Sequence, residues 1–201
     1  MPAAPLQVPQ APLDEWAPLG GGGSEEAQLA DARSANEKHA VVVRVLRARA
    51  DALGSLRALW SSGRPPSEAF RALARLNDRS LLADALPAML RARGAVDLEG
   101  AAEVLPTVAE MLGEPHAEWV LAALGVCSQM HRAFAGLVAD TLAAAPVGKA
   151  DVHFDERRTR CEHLQAAFRA ALRSARGLRA SADARVQAEA RALVAALEAG
   201  S

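Results

Sequence analysis

Apolar residues between positions 38 and 61 recur in steps of three and four, so they lie along one side of an α-helix. Ser34 and Glu37 have the spacing of a capping box, which predicts that this helix begins near Ala35. A helix of about 25 residues is about 37 Å long, which is too long for a small core to cover. We therefore expect part of the stripe to face other helices of the chain and part to face a partner. The stripe comprises Val42, Val45, Leu46, Leu53, Leu56, Leu59 and Trp60.

Similar apolar periods predict six further helices between Pro66 and Ala199, and no segment alternates with the period of a strand. The fold class is therefore all-α: a helical bundle or short α-solenoid of about seven helices. The fifth helix is apolar nearly all round, which indicates a central position. We expect Leu76 and Leu137 to face inward, and Ser181 to cap the seventh helix.

The first 34 residues are rich in Pro, Ala and Gly, which predicts a disordered linker (1–34) before one helical domain (35–199). Trp16 is the unusual residue in this linker. It either belongs to a neutral spacer or anchors a short docking motif, and the sequence leaves both interpretations open.

Composition excludes several classes of protein. The formal net charge is −1, so no overall field attracts nucleic acid or a membrane. No apolar run approaches the roughly 20 residues of a membrane span, and the N-terminus lacks a signal-peptide pattern. We therefore expect a soluble intracellular protein. Cys127 and Cys161 lie on apolar stripes, which favours buried, reduced thiols over a disulfide.

The sequence shows no recognisable set of catalytic residues, so we expect a protein that is not an enzyme and that binds no cofactor or metal. Cys127 and His131 are one helical turn apart and offer two metal ligands, whereas a site needs three or four. A small enzyme or metal protein remains the least favoured class of function. Trp60 at the end of the first stripe is either a core residue or a partner-facing anchor.

Arginines supply nearly all the positive charge, and two groups of them are candidates for binding an acidic surface. They are either solvated and paired with nearby acids or they contact an acidic polymer or partner. Because the chain has no Tyr and only 3% aromatic residues, nucleic acid ranks low among such polymers. The candidates are Arg44 and Arg47 in the first helix, and Arg157, Arg158 and Arg160 in the sixth.

Four short blocks, in this order and spacing, resemble the C-terminal domain of the regulatory, non-catalytic subunit of katanin, the microtubule-severing ATPase. The resemblance spans about Glu37 to Leu197. The blocks are Leu56-Arg57-Ala58-Leu59-Trp60, Leu81-Leu82-Ala83-Asp84-Ala85-Leu86, Val104-Leu105-Pro106 with Met111-Leu112, and Glu156-Arg157-Arg158-Thr159-Arg160-Cys161.

This resemblance implies an all-helical domain that binds the N-terminal domain of katanin's catalytic AAA ATPase subunit. It also implies support of microtubule binding, severing and targeting, with spindle-pole, minus-end or axonemal proteins as further partners, at cytoplasmic microtubules, spindle poles or cilia. The WD-repeat propeller of the family is missing, so the sequence is either a fragment or a short relative. A generic helical adaptor or homodimer is the alternative.

We expect the stripe of the first helix to contact the ATPase subunit and the arginines to face tubulin or an acidic adaptor. The expected partner-binding residues are Val42, Leu46, Leu53, Leu56 and Trp60.

Overall fold

A computed structural model of the protein describes residues 25–91, 96–144 and 152–199. Within these ranges the chain forms seven α-helices and no strand, which confirms the all-α prediction. The linker before Glu25, with its Trp16, lies outside the described residues. The helices are α1 (Glu25–Trp60), α2 (Pro66–Leu76), α3 (Arg79–Leu90), α4 (Leu98–Met111), α5 (Ala117–Ala143), α6 (Val152–Leu178) and α7 (Ala184–Ala199).

Residues up to Arg47 and residues from Ala48 onward form separate compact units. The described part of the first unit is the N-terminal portion of α1, and the second unit holds the end of α1 together with α2–α7. The expected start of α1 near Ala35 is wrong, because the helix begins at Glu25. Residues 25–34 are mostly Ala, Glu, Gln and Leu, which have high helix propensity, and Ser34 lies inside the helix rather than at its cap.

Aspartate caps set the starts of α3 and α4. The Asp78 carboxylate accepts hydrogen bonds from the backbone N–H groups of Ser80 and Leu81. The Asp97 carboxylate accepts one from Gly100. Each bond satisfies a donor that has no partner within its own helix, so these local sequence signals determine where the helices begin.

The start of α7 differs from the prediction of a Ser181 cap. The side chain of Asp183, directly before the first helical residue, accepts hydrogen bonds from the N–H groups of Arg185 and Val186. The Ser181 hydroxyl instead accepts a bond from the Asp183 N–H. The carboxylate is the cap because it lies in the residue adjoining the helix.

The core of the second unit is built around α5, which packs against α3, α4, α6 and α7 and so confirms its predicted central position. Two leucines that were expected to be buried are exposed: Leu76 by 48% and Leu137 by 40%. Leu76 is the last residue of α2, and Val138 takes the inward place beside Leu137. Fully buried side chains include Phe70, Leu73, Leu82, Leu105, Leu124, Met130, Leu164 and Leu193.

Candidate partner-binding surface

The C-terminal part of the α1 stripe belongs to the core of the second unit. Leu56 is only 6% exposed. Leu53, Leu59 and Trp60 are partly buried against the same core. The Trp60 ring meets the Phe70 ring edge-on, with ring centroids 5.9 Å apart. Three residues expected to contact a partner, Leu53, Leu56 and Trp60, therefore pack within this chain, and their role in partner binding stays a prediction.

The stripe continues upstream, where its side chains are open to water. Val41, Val42, Val45 and Leu46, here called the α1 apolar patch, are 48%, 54%, 59% and 57% exposed. Their spacing places all four on one side of the helix. Large aliphatic side chains are among those most often buried in proteins, so these four exposed ones form an apolar surface patch.

Arg44 and Arg47 lie on the side of α1 opposite the patch, given about 3.6 residues per helical turn. Both are exposed, and neither forms an ion pair with any described residue. The helix therefore presents an apolar side and a cationic side, which can contact two different surfaces at once.

The three arginines of α6 that the sequence proposed for binding an acidic surface, Arg157, Arg158 and Arg160, have contacts within the chain. Arg158 pairs with Glu162 through Nε and a carboxylate oxygen at 3.2 Å. Arg160 lies 3.9 Å from Glu156 and 4.0 Å from Glu99. The Arg157 guanidinium lies over the Phe154 ring, 5.7 Å from its centroid. Ion pairing reduces the charge that Arg158 and Arg160 offer to an outside surface, and their predicted binding role is untested.

The contact between Arg160 and Glu99 extends into a network that sequence reasoning missed. Arg71 of α2 pairs with Glu99 and lies 3.6 Å from Glu103, both in α4. Together with Arg160 of α6, the network joins three helices. The sequence shows Glu99 and Glu103 one turn apart, but their pairing with α2 and α6 depends on tertiary packing. Exposed pairs of this kind contribute only about 0–1 kcal/mol each.

The described residues hold no group of three or more His, Cys, Asp or Glu that could bind a metal ion. Cys127 is fully buried, and desolvation raises the pKa of its thiol to about 12. The thiol is therefore protonated at neutral pH and packs as a small apolar group. Among the helices that the structure describes, none is long and apolar enough to cross a membrane.

The family model of the con80 domain of katanin matches residues 37–197. The chain belongs to the katanin con80 family. The match confirms the resemblance inferred from the four sequence blocks, and its limits agree with those expected. A comparison with curated proteins gave no match.

Membership places the chain with the non-catalytic subunit of katanin and gives it a katanin-related regulatory role with a cytoskeletal setting. The matched region begins at residue 37. It therefore includes the whole α1 apolar patch as well as the bundle that begins at Ala48. The con80 domain of this chain consequently contains apolar residues that stay exposed when the chain is alone.

Proposed function

We propose that this con80 domain is a non-catalytic scaffold that binds the N-terminal domain of the katanin catalytic AAA ATPase subunit. Through that complex it supports microtubule binding, severing and targeting at the cytoskeleton. The main support for this proposal is the α1 apolar patch, which lies within residues 37–197 matched by the family model and is exposed to solvent.

The patch supplies the driving force. Burying a Val or Leu side chain completely is worth about 1.5–3 kcal/mol, so residues that are about half exposed can each contribute roughly 1 kcal/mol on association. A helix with four such residues fits a groove between helices of a partner, which is a recurrent mode of recognition.

The cationic side of α1 supports the microtubule part of the proposal. Arg44 and Arg47 are exposed and have no ion pair among the described residues, so their full charge is available to an acidic surface such as tubulin. Because they lie opposite the patch, binding of the ATPase subunit leaves them accessible. Charge of this kind raises the rate of encounter and makes binding sensitive to salt.

Size-exclusion chromatography with light scattering tests the ATPase contact. The chain alone should run as a monomer, and a mixture with the N-terminal domain of the catalytic ATPase should run as a one-to-one complex. A stable homodimer that forms no complex with the ATPase domain would contradict the proposal and favour self-association through the patch.

Microtubule co-sedimentation tests the charge assignment. The double variant Arg44→Gln/Arg47→Gln should reduce the pelleted fraction more than Arg158→Gln/Arg160→Gln, because the second pair is already engaged with Glu162, Glu156 and Glu99. The difference should shrink as salt is raised, since exposed charges are screened. If both double variants reduce the pelleted fraction equally, or if neither reduces it, α1 is not the element that binds the microtubule.

A further inference from the structure

A cavity of about 230 Å³ lies among α5, α6 and α7, within the second unit and separate from the α1 apolar patch. The apolar part of its lining includes Val138, Phe168, Leu172 and Leu197. Val138, Phe168 and Leu197 are buried residues of the core. A concave wall of this kind favours an apolar group, because filling it removes hydrocarbon surface from water on both molecules.

Three polar side chains, Arg169, Gln165 and His131, line the same cavity. Arg169 and Gln165 are one turn apart on α6, so they lie on the same side of the helix. His131 of α5 joins them, and its ring meets the Phe168 ring edge-on with centroids 5.3 Å apart. Desolvation lowers the pKa of His131, so the neutral ring offers one N–H donor and one acceptor.

Arg169 differs from the paired arginines of its helix. Arg176 bonds to Glu198 at 2.7 Å and Arg158 pairs with Glu162 at 3.2 Å. Arg169 forms no ion pair with any residue in the described part of the chain. Its guanidinium, the Gln165 amide and the His131 ring all line the cavity and carry N–H groups that can donate to the oxygens of one carboxylate.

The size of the cavity limits the ligand. The cavity of about 230 Å³ has room for a small group such as one amino-acid side chain with an adjoining carboxylate. Drug-sized ligands need roughly 300–1,000 Å³. A terminal residue carries its side chain and its carboxylate on the same Cα, so a small cavity lined by both apolar side chains and Arg169 can hold the two groups together.

We propose that the cavity among α5, α6 and α7 binds the C-terminal residue of a protein partner. An aliphatic or aromatic side chain lies against Phe168 and Leu172, and the terminal carboxylate pairs with Arg169. None of the lining residues belongs to the α1 apolar patch, so the cavity gives the con80 domain a second docking point.

The test uses the full chain labelled with ¹⁵N and an acetylated tetrapeptide that ends in Leu with a free carboxylate. Titration should shift the amide signals of residues 165–172 and 131–139 and should saturate in about the millimolar range expected for so small a contact. The same peptide as a C-terminal amide should bind at least about tenfold more weakly. Equal binding of the acid and the amide would overturn the proposal.

Two variants and their controls assign the contact. Arg169→Gln should weaken binding about tenfold or more, whereas Arg191→Gln, an exposed arginine of α7 outside the cavity, should leave it unchanged. Ala139→Leu places bulk at the cavity wall and should abolish binding with helicity retained, whereas Ala143→Leu, one turn further along α5, should not.

An amide-capped peptide with an internal Asp next to Leu distinguishes the source of the carboxylate. If it binds more tightly than the free-acid peptide, the site recognises an internal acidic residue and the proposal is wrong. Unchanged binding to Arg169→Gln, or the absence of saturable shifts, would equally overturn it.

Discussion

Gly100, in the first turn of α4, occupies a place where a single methyl group has no room. A Cβ at this position would lie 2.8 Å from Cδ2 of Phe70 and 2.9 Å from Oδ1 of Asp97. Phe70 is fully buried, and its ring meets the Trp60 ring at a centroid distance of 5.9 Å. Because Phe70 is fully buried, any shift of its ring must displace neighbouring core side chains, and Asp97 is the cap of the helix.

Gly100→Ala should consequently destabilise the fold. Overpacking a filled core costs about 1–3 kcal/mol, and disturbing the cap costs about 1 kcal/mol more. Replacing Gly by Ala in a helix recovers up to about 1 kcal/mol. Gly125 in α5 is the matched control, because a Cβ there would meet nothing within 4 Å. Gly125→Ala should therefore be neutral or slightly stabilising.

Urea unfolding followed by far-ultraviolet circular dichroism measures the difference. Gly100→Ala should be less stable than the wild type by about 2 kcal/mol, which lowers the midpoint of thermal unfolding by about 4–8 °C in a chain of this length, whereas Gly125→Ala should not be destabilised. Equal stability of the two variants would show that the Phe70 ring is free to move, and would refute the packing argument.

Two further predictions concern stability. Leu56→Ala should cost about 2–5 kcal/mol in the free energy of unfolding because Leu56 is buried, whereas Leu46→Ala should change it by less than about 0.5 kcal/mol. Urea unfolding of both variants checks this, and similar losses would contradict the division of the α1 stripe. Hydrogen bonds from the side chain and backbone of Ser80 and from the backbone of Leu81 lower the pKa of Asp78 below the ordinary value of 3.8. The ionised Asp78 cap therefore stabilises the fold fully above about pH 3.8. This stabilisation is lost as the pH falls through the lower pKa that Asp78 has in the folded protein. The difference in unfolding free energy between wild type and Asp78→Ala should therefore become smaller as the pH is lowered. A difference that does not change with pH would refute the role of ionised Asp78 as a stabilising cap.

Much of the helical architecture follows from local signals in the sequence. Pro66 at the first position of α2 and the Asp97 cap of α4 mark boundaries that depend on only a few neighbouring residues. The sequence of α5 is apolar nearly all round, and this pattern correctly predicted a central helix that packs against four others. The predicted cap of α7 was wrong, because the side chain of Asp183 rather than that of Ser181 accepts the hydrogen bonds at the start of that helix.

The candidate site was harder to predict because periodicity shows which side of a helix is apolar, not what covers it. Leu46 and Leu56 belong to one stripe, yet one is exposed and the other is buried. The difference arises from tertiary packing, which brings Phe70 and the core to the end of α1 alone. The pairing of Arg160 with Glu99 likewise joins residues that are distant in the sequence.

The proposed function depends on the α1 apolar patch binding the N-terminal domain of the katanin catalytic ATPase. Calorimetric titration of the chain with that domain measures this binding. Val42→Asp/Leu46→Asp removes about half of the patch and places two charges in the contact, so affinity should fall by at least about 100-fold, or about 2.7 kcal/mol. Leu29→Asp, an exposed leucine of the same helix outside the matched region, should bind as the wild type does. Unchanged affinity of the double variant, with helicity intact, would contradict the account.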